Sequence, residues 1–110
     1  MPSFRAGVAV IRTRPGVAPD AVLAAAQHGV AAHCHVEDAF VDVDGLSRGS
    51  GLPRVTIRFV VPASSDHAED ALAWTTATAL ASAVGQVAEW SQLRVLRRVK
   101  GRWLPLDAPR

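Results

Sequence analysis

The sequence has little of what marks several common classes of protein. Its 110 residues include one cysteine, no tyrosine and no apolar run near the roughly 18 residues that a membrane-spanning helix needs. The single cysteine, Cys34, excludes an intramolecular disulfide framework and suits a reducing compartment. The first residues show no signal-peptide pattern. We therefore expect a cytoplasmic protein with no membrane partner.

Charge of one sign is also scarce. The 12 basic and 10 acidic residues leave a net charge of +2, which is too small to indicate nucleic-acid binding as a property of the whole chain. Hydrophobic residues make up 49% and charged residues 20%, as in globular proteins, and the length is that of one domain. We expect a single domain over residues 1–104, followed by a frayed tail at 105–110.

The strongest structural signal is the alternation of apolar and polar side chains from Arg54 to Val61. A period of two residues predicts a strand that is buried on one face. Similar alternation predicts further strands at Phe4–Arg12, Ala39–Asp44 and Leu93–Lys100. A turn is expected at Lys100-Gly101-Arg102.

Two helices are predicted between these strands. Pro19 and Asp20 begin a helix that runs to about His33, and Asp66 begins another that runs to about Val87. The order β-α-β-β-α-β predicts an α+β fold of the ferredoxin-like kind, a four-stranded antiparallel sheet with both helices on one face. The loop Gly45–Pro53 would then join the second and third strands.

Such a fold leaves the other sheet face uncovered, and that face is the main functional candidate. Apolar side chains among charges suit a self-complementary interface. We expect a binding or assembly module that forms a homo-oligomer, with a dimer favoured, or that binds another protein. A solvated sheet face with scattered apolar residues is the alternative. The predicted interface residues are Ile11, Phe40, Arg58, Val60 and Leu96.

The basic end of the chain offers a second hypothesis, in which phosphate groups of a nucleic acid bind to the last strand. A charged edge strand that resists aggregation is the alternative. The sheet also lacks the aromatic signature of RNA-recognition modules, so nucleic acid is the less favoured partner. Trp103 is expected to be partly exposed and to contact a partner. The possible phosphate-contacting residues are Arg94, Arg97, Arg98 and Lys100.

One cluster contains residue types that bind metals: His28, His33, Cys34 and His35. Ligands on one helix face should be three or four residues apart, and His28 and His33 are five apart. None of the usual zinc spacings is present. We therefore predict no metal site and no cofactor.

The N-terminus offers an enzymatic hypothesis. The opening Met-Pro-Ser-Phe and the order of elements resemble the tautomerase superfamily. That resemblance implies that Pro2 acts as a catalytic base on a small 2-oxo acid, in a trimer or hexamer. It also implies an arginine, Arg12 or Arg58, that holds the substrate carboxylate. A plain N-terminus without catalytic function is the alternative.

Overall fold

The computed structural model describes residues 1–43 and 51–109, within which the chain forms two helices and five strands. The predicted loop Gly45–Pro53 falls largely outside the described residues, as does Asp44. In chain order the elements are β1 (Ser3–Thr13), α1 (Asp20–Ala31), β2 (His35–Val43), β3 (Pro53–Val60), α2 (Asp66–Gly85), β4 (Ala88–Val99) and β5 (Arg102–Pro105).

The strands form one open antiparallel sheet in the order β2-β3-β1-β4-β5, so the predicted α+β class is confirmed. The predicted number of four strands was wrong. Lys100 and Gly101 have φ values of 50° and 77°, which is the backbone of a type I′ hairpin turn. The chain therefore reverses within two residues, and β5 pairs with β4, placing Trp103 opposite Arg98.

Several strands extend beyond their predicted bounds because β-bulges interrupt the period of two. The pairing of β1 with β4 shifts register between Gly7 and Ala9 and again between Val10 and Arg12. The pairing of β2 with β3 shifts between Val36 and Asp38. An inserted residue breaks the alternation that a sequence pattern relies on. As a result, β2 begins well before the predicted Ala39 and β4 well before Leu93.

Both helices pack on the same face of the sheet and share one hydrophobic core. At its centre the rings of Phe4 and Phe59 stack with their centroids 5.9 Å apart. The helices approach each other closely at Gly29, where an added Cβ would lie 2.9 Å from the Ala79 carbonyl oxygen. Fully buried residues of the core include Phe4, Val8, Val30, Ile57, Phe59, Leu80, Val84 and Val95.

The ends of α2 and of the chain are held by specific hydrogen bonds. The Ser65 hydroxyl caps α2 by accepting the N–H of Ala68 at 3.1 Å. Beyond β5, Leu106 donates its N–H to the Val95 carbonyl at 2.8 Å and packs against the core. Residues 105 and 106, at the start of the predicted tail, are therefore attached to the sheet.

Candidate functional site on the open sheet face

A groove of about 920 Å³ is lined mainly by residues of the sheet face opposite the helices, and also by Trp74 of α2 and by residues 106–108 beyond β5. Alternate residues of the strands project into it, since successive side chains of a strand point to opposite faces. These residues are mainly arginines and aromatic or aliphatic residues, and together they form the candidate site. They include Arg5, Phe40, Arg54, Arg94, Leu96 and Trp103.

Arg54 lies flat across the middle of this face. Its Nη2 donates to the Gly7 carbonyl at 3.2 Å on β1 and to the Gln92 carbonyl at 2.8 Å on β4. The residue is only 6% exposed, so it is a buried cation that links three strands. Gly7 leaves no room for a side chain, because an added Cβ would lie 2.5 Å from the Val55 carbonyl oxygen.

Trp103 lies at the centre of a cluster of three arginines from three different strands. The guanidinium carbon of Arg5 is 4.2 Å from the centroid of the Trp103 ring. Those of Arg58 and Arg98 are 5.3 Å and 5.4 Å from it. Arg5 also lies 5.3 Å from the ring of Phe40, so its cation is placed over two aromatic rings. Such cation–π contacts contribute about 0.5–1 kcal/mol each at partly exposed sites.

The Trp103 cluster, meaning Arg5, Arg58, Arg98 and Trp103, carries more positive charge than its carboxylate partners balance. Glu37 pairs with Arg58, with 3.3 Å between Oε1 and Nε. Among the described residues, neither Arg5 nor Arg98 has a carboxylate partner. The Nε of Arg5 is buried without a hydrogen-bond acceptor, and the Nε of Arg58 is in ionic contact with Glu37 without hydrogen-bond geometry. The cluster therefore has a net positive charge and a buried hydrogen-bond donor without an acceptor.

The structure brings most of the predicted interface residues together, but not all of them. Phe40, Arg58 and Leu96 are half-buried on the open face, and Val60 is 9% exposed. Ile11 is the extra residue of the bulge between Val10 and Arg12. It lines a separate apolar groove beside the N-terminus of α1, along with Val22, Leu23 and Val41. The bulge thus separates Ile11 from the other four.

The predicted phosphate-contacting residues are divided between the two faces. Arg94 and Arg98 belong to the open face, and Lys100 lies in the exposed hairpin turn. Arg97 instead lies against α2, where its guanidinium contacts Glu69 and Asp70 at 2.6 Å each and Asp66 at 3.4 Å. Three carboxylates already surround this cation, so the structure does not bring Arg97 together with the other arginines.

Replacing Glu69 by Gln is expected to flatten the acid side of the stability profile. The N–H of Ser64 and the guanidinium of Arg97 bind the Glu69 carboxylate and lower its pKa below the usual 4.5. The unfolded chain therefore binds this proton more readily, and stability falls as the pH drops from about 4.5 through the folded-state pKa. Urea unfolding at a series of acid pH values measures the slope.

In that experiment Glu69→Gln should be less stable than the wild type near neutral pH and lose less stability on acidification. Glu89→Gln is the matched control, because Glu89 is exposed and pairs with exposed Arg12. This control should keep the wild-type slope. Identical acid slopes for Glu69→Gln and the wild type would contradict the assigned role of Glu69.

The residues implied by the tautomerase resemblance do not form one site. Pro2 and Arg12 lie at opposite ends of β1, about 33 Å apart at the usual rise per residue. Arg58 is nearer to Pro2 but pairs with Glu37 and contacts Trp103. The Met1 ammonium group is close enough to Glu69 to help lower the pKa of that carboxyl. The N-terminus is thus next to the acidic residues that surround Arg97.

The candidate metal ligands are dispersed around the C-terminal end of α1. His28, His33 and His35 are exposed, whereas the Cys34 sulfur lies 3.3 Å from the Thr76 hydroxyl at the edge of the core. Within the part of the chain that the structure describes, no group of three or more His, Cys, Asp or Glu residues is arranged to hold an ion.

Comparison with protein-family models, with curated proteins and with solved structures gives no match. Over residues 1–43 and 51–109, neither helix is long and apolar enough to cross a membrane. The arrangement of side chains on the open face is therefore the main guide to function.

Proposed function

We propose that this protein is a binding module that self-associates through the open face of its sheet. We describe the fold as ferredoxin-like with an added edge strand, because the order β2-β3-β1-β4 is compatible with that arrangement and β5 extends it. The observation that carries the proposal is the distribution of charge across the open face, with acids only on β2 and, among the described residues, arginines without carboxylate partners on β4.

The acidic side of the face is β2, which carries Glu37, Asp38 and Asp42. Glu37 pairs with Arg58 of β3, and Asp38 and Asp42 are registered opposite Arg58 and Arg54. The basic side is β4, with Arg94 and Arg98. Among the described residues neither of these arginines pairs with a carboxylate, although Arg94 contacts the Gln92 side chain at 3.4 Å. The two sides are complementary, but they lie too far apart within one chain to neutralise each other.

A second copy of the chain can place a basic strand opposite β2 and an acidic strand opposite β4 at the same time. A two-fold axis parallel to the strands, placed between two open faces, lays β2 of one copy over β4 and β5 of the other. Rotation about that axis keeps positions along the strands, and by register Phe40 is level with the partner's Arg94 and Asp38 with the partner's Leu96. Asp42 and Asp38 therefore lie two residues, about 7 Å along the strand, from the partner's Arg94 and the partner's Arg98, a distance that an extended arginine side chain can span. Phe40, Leu96 and Trp103 would supply the apolar contacts that such interfaces need.

A charge swap tests this arrangement. We expect the wild type to be a dimer by light scattering after size exclusion. Arg94→Glu and Asp42→Arg should each weaken the dimer by about tenfold or more, because like charges then oppose each other across the interface. Combining the two substitutions restores opposite charges and should recover much of the affinity.

The control for the charge swap is Arg102→Glu, which makes the same change in charge on the other face of the sheet. It should leave the dimer intact, and thermal melts should verify that every variant folds. A monomeric wild type would refute the proposal. If Arg94→Glu and Arg102→Glu weaken the dimer equally, dimer affinity depends on the net charge of the chain and not on the open face.

The proposal also places the module in the cytoplasm. Its one cysteine, Cys34, is half-buried and free, and it packs at the edge of the core beside Thr76. A free thiol in this position suits a reducing compartment.

A further inference from the structure

The centre of the open face contains a direct repulsion that self-association does not remove. Arg5 on β1 is registered opposite Arg58 on β3. Like charges directly across a strand pair destabilise a sheet. Arg98 brings a third guanidinium to the same Trp103 ring. A face-to-face dimer about an axis over β1 would place the two copies of Arg5 near each other, which adds to the repulsion.

The described residues offset this charge only in part. The Trp103 and Phe40 rings attract the cations, and Glu37 neutralises Arg58. The cluster therefore has one carboxylate for three guanidinium groups, so most of its positive charge is not neutralised. The Nε of Arg5 remains buried without an acceptor, although buried polar groups in proteins nearly always have a partner. The Nε of Arg58 has only the ionic contact with Glu37, which lacks hydrogen-bond geometry. An unused donor and uncompensated charge at one place indicate a site for an anion.

We propose that the Trp103 cluster binds a phosphate group carried by a compound with a planar ring. The planar fork of an arginine matches phosphate oxygens, and a phosphate monoester supplies up to two negative charges and three acceptor oxygens. Several arginines around one group therefore suit a phosphate better than a single carboxylate. The aromatic rings of Phe40 and Trp103 provide stacking surfaces for a base. A free nucleotide and a single-stranded nucleic acid share this chemistry.

The site differs from the one that the basic end of the sequence suggested. It uses Arg98 but not Arg97, and it adds Arg5 and Arg58 from the centre of the sheet. Arg5, Phe40 and Trp103 line a groove of about 920 Å³, which is large enough for a nucleotide. Arg58 and Arg98 contact the Trp103 ring but do not line this groove. The anion site does not depend on self-association, because a monomer presents the whole cluster. A dimer through the open face would cover Phe40 and Trp103, so the two kinds of binding compete for these rings.

Calorimetric titration at low salt tests the site with adenosine monophosphate, adenosine and a short oligothymidine as probes. Adenosine monophosphate should bind, and adenosine should bind at least about tenfold more weakly, because the charged hydrogen bonds are lost. Oligothymidine binding tighter than that of the nucleotide, and falling steeply with salt, would identify single-stranded nucleic acid as the source of the phosphate. If adenosine monophosphate binds as tightly as oligothymidine or more tightly, the result would identify a free nucleotide as the source of the phosphate.

Arg5→Gln should weaken binding of adenosine monophosphate about tenfold or more, whereas Arg102→Gln, which removes the same charge from the other face, should not. Arg98→Gln serves as the second site variant because Arg98 is exposed and its replacement leaves the core untouched. No binding of any phosphate probe to the wild type would overturn the proposal. Equal losses for Arg98→Gln and Arg102→Gln would do so as well.

Light scattering on the same samples separates this proposal from the preceding one. A monomer that binds adenosine monophosphate would refute self-association and support the anion site. A dimer that responds to the Arg94 and Asp42 swap but binds no phosphate probe would support the interface and refute the anion site.

Discussion

Gly7→Ala is expected to destabilise the fold by about 3 kcal/mol, because the new methyl group would be forced into backbone atoms. The added Cβ would lie 2.5 Å from the Val55 carbonyl oxygen, 2.9 Å from the Thr56 Oγ1 and 3.2 Å from the Thr56 Cα. Only the hydroxyl could move aside cheaply. Relieving the other contacts requires β1 to shift against β3, in the middle of the sheet.

The clash at Gly7 also reaches the open face. The Gly7 carbonyl accepts a hydrogen bond from Arg54, whose side chain crosses β1 to reach Gln92. A displaced β1 would weaken this link between three strands as well as the strand pairing. Some of the expected loss therefore comes from a buried cation that no longer fits its acceptors.

Urea denaturation followed by circular dichroism measures the effect of Gly7→Ala. Gly85→Ala is the matched control, since an added Cβ there would lie 3.4 Å from the Trp90 Nε1, and the residue ends α2. That control should be neutral or slightly stabilising, because alanine favours helix over glycine by up to about 1 kcal/mol. Similar urea midpoints for Gly7→Ala and the wild type would show that β1 and β3 can move apart to admit the methyl group without loss of stability.

Phe59→Ala is expected to lower the free energy of unfolding by about 3–5 kcal/mol, because it removes a large, fully buried side chain. Phe59 is fully buried and stacks on Phe4 between the sheet and the helices. Removing its ring loses the favourable free energy of transferring the ring from water to the core, and it leaves a cavity beside Phe4 in the hydrophobic core. A domain of this size has only about 5–15 kcal/mol of stability in all, so the variant would be marginally folded.

The control for this truncation is Leu104→Ala, since Leu104 is 44% exposed on β5. It should change the free energy of unfolding by less than about 1 kcal/mol. The loss of stability in Phe59→Leu should lie between those of Phe59→Ala and Leu104→Ala, because leucine fills part of the volume that the phenylalanine ring occupies. A Phe59→Ala protein as stable as Leu104→Ala would mean that the core collapses around the gap without cost.

The sequence predicts the central strands well because their burial alternates. Val55, Ile57 and Phe59 face the core and Arg58 faces outward, as expected from the period of two. The same rule fails for Ile11, which it places on the open face. A bulge depends on how two strands meet across the sheet, and neither strand's own pattern reveals it.

The candidate site was harder to predict than the fold, since its centre depends on β5. Lys100-Gly101 was expected as a turn, and the φ values show that it is the tight type that joins adjacent strands. The short run after it, which includes Trp103 and ends in Pro105, resembles a tail more than a strand. Only the pairing shows that Trp103 reaches Arg5 and Arg58. By contrast, alternation along β4 already separates Arg97 from Arg94 and Arg98.

The strand order also bears on how the Trp103 cluster assembles during folding. The β4–β5 hairpin closes locally, whereas β1 must pair with β4 from almost the opposite end of the chain. Closing so long a loop costs entropy before any contact compensates for it, so such pairings form slowly. We therefore expect Trp103 to gain Arg5 as a neighbour only when the central strand is in place. Its fluorescence would then report completion of the whole sheet.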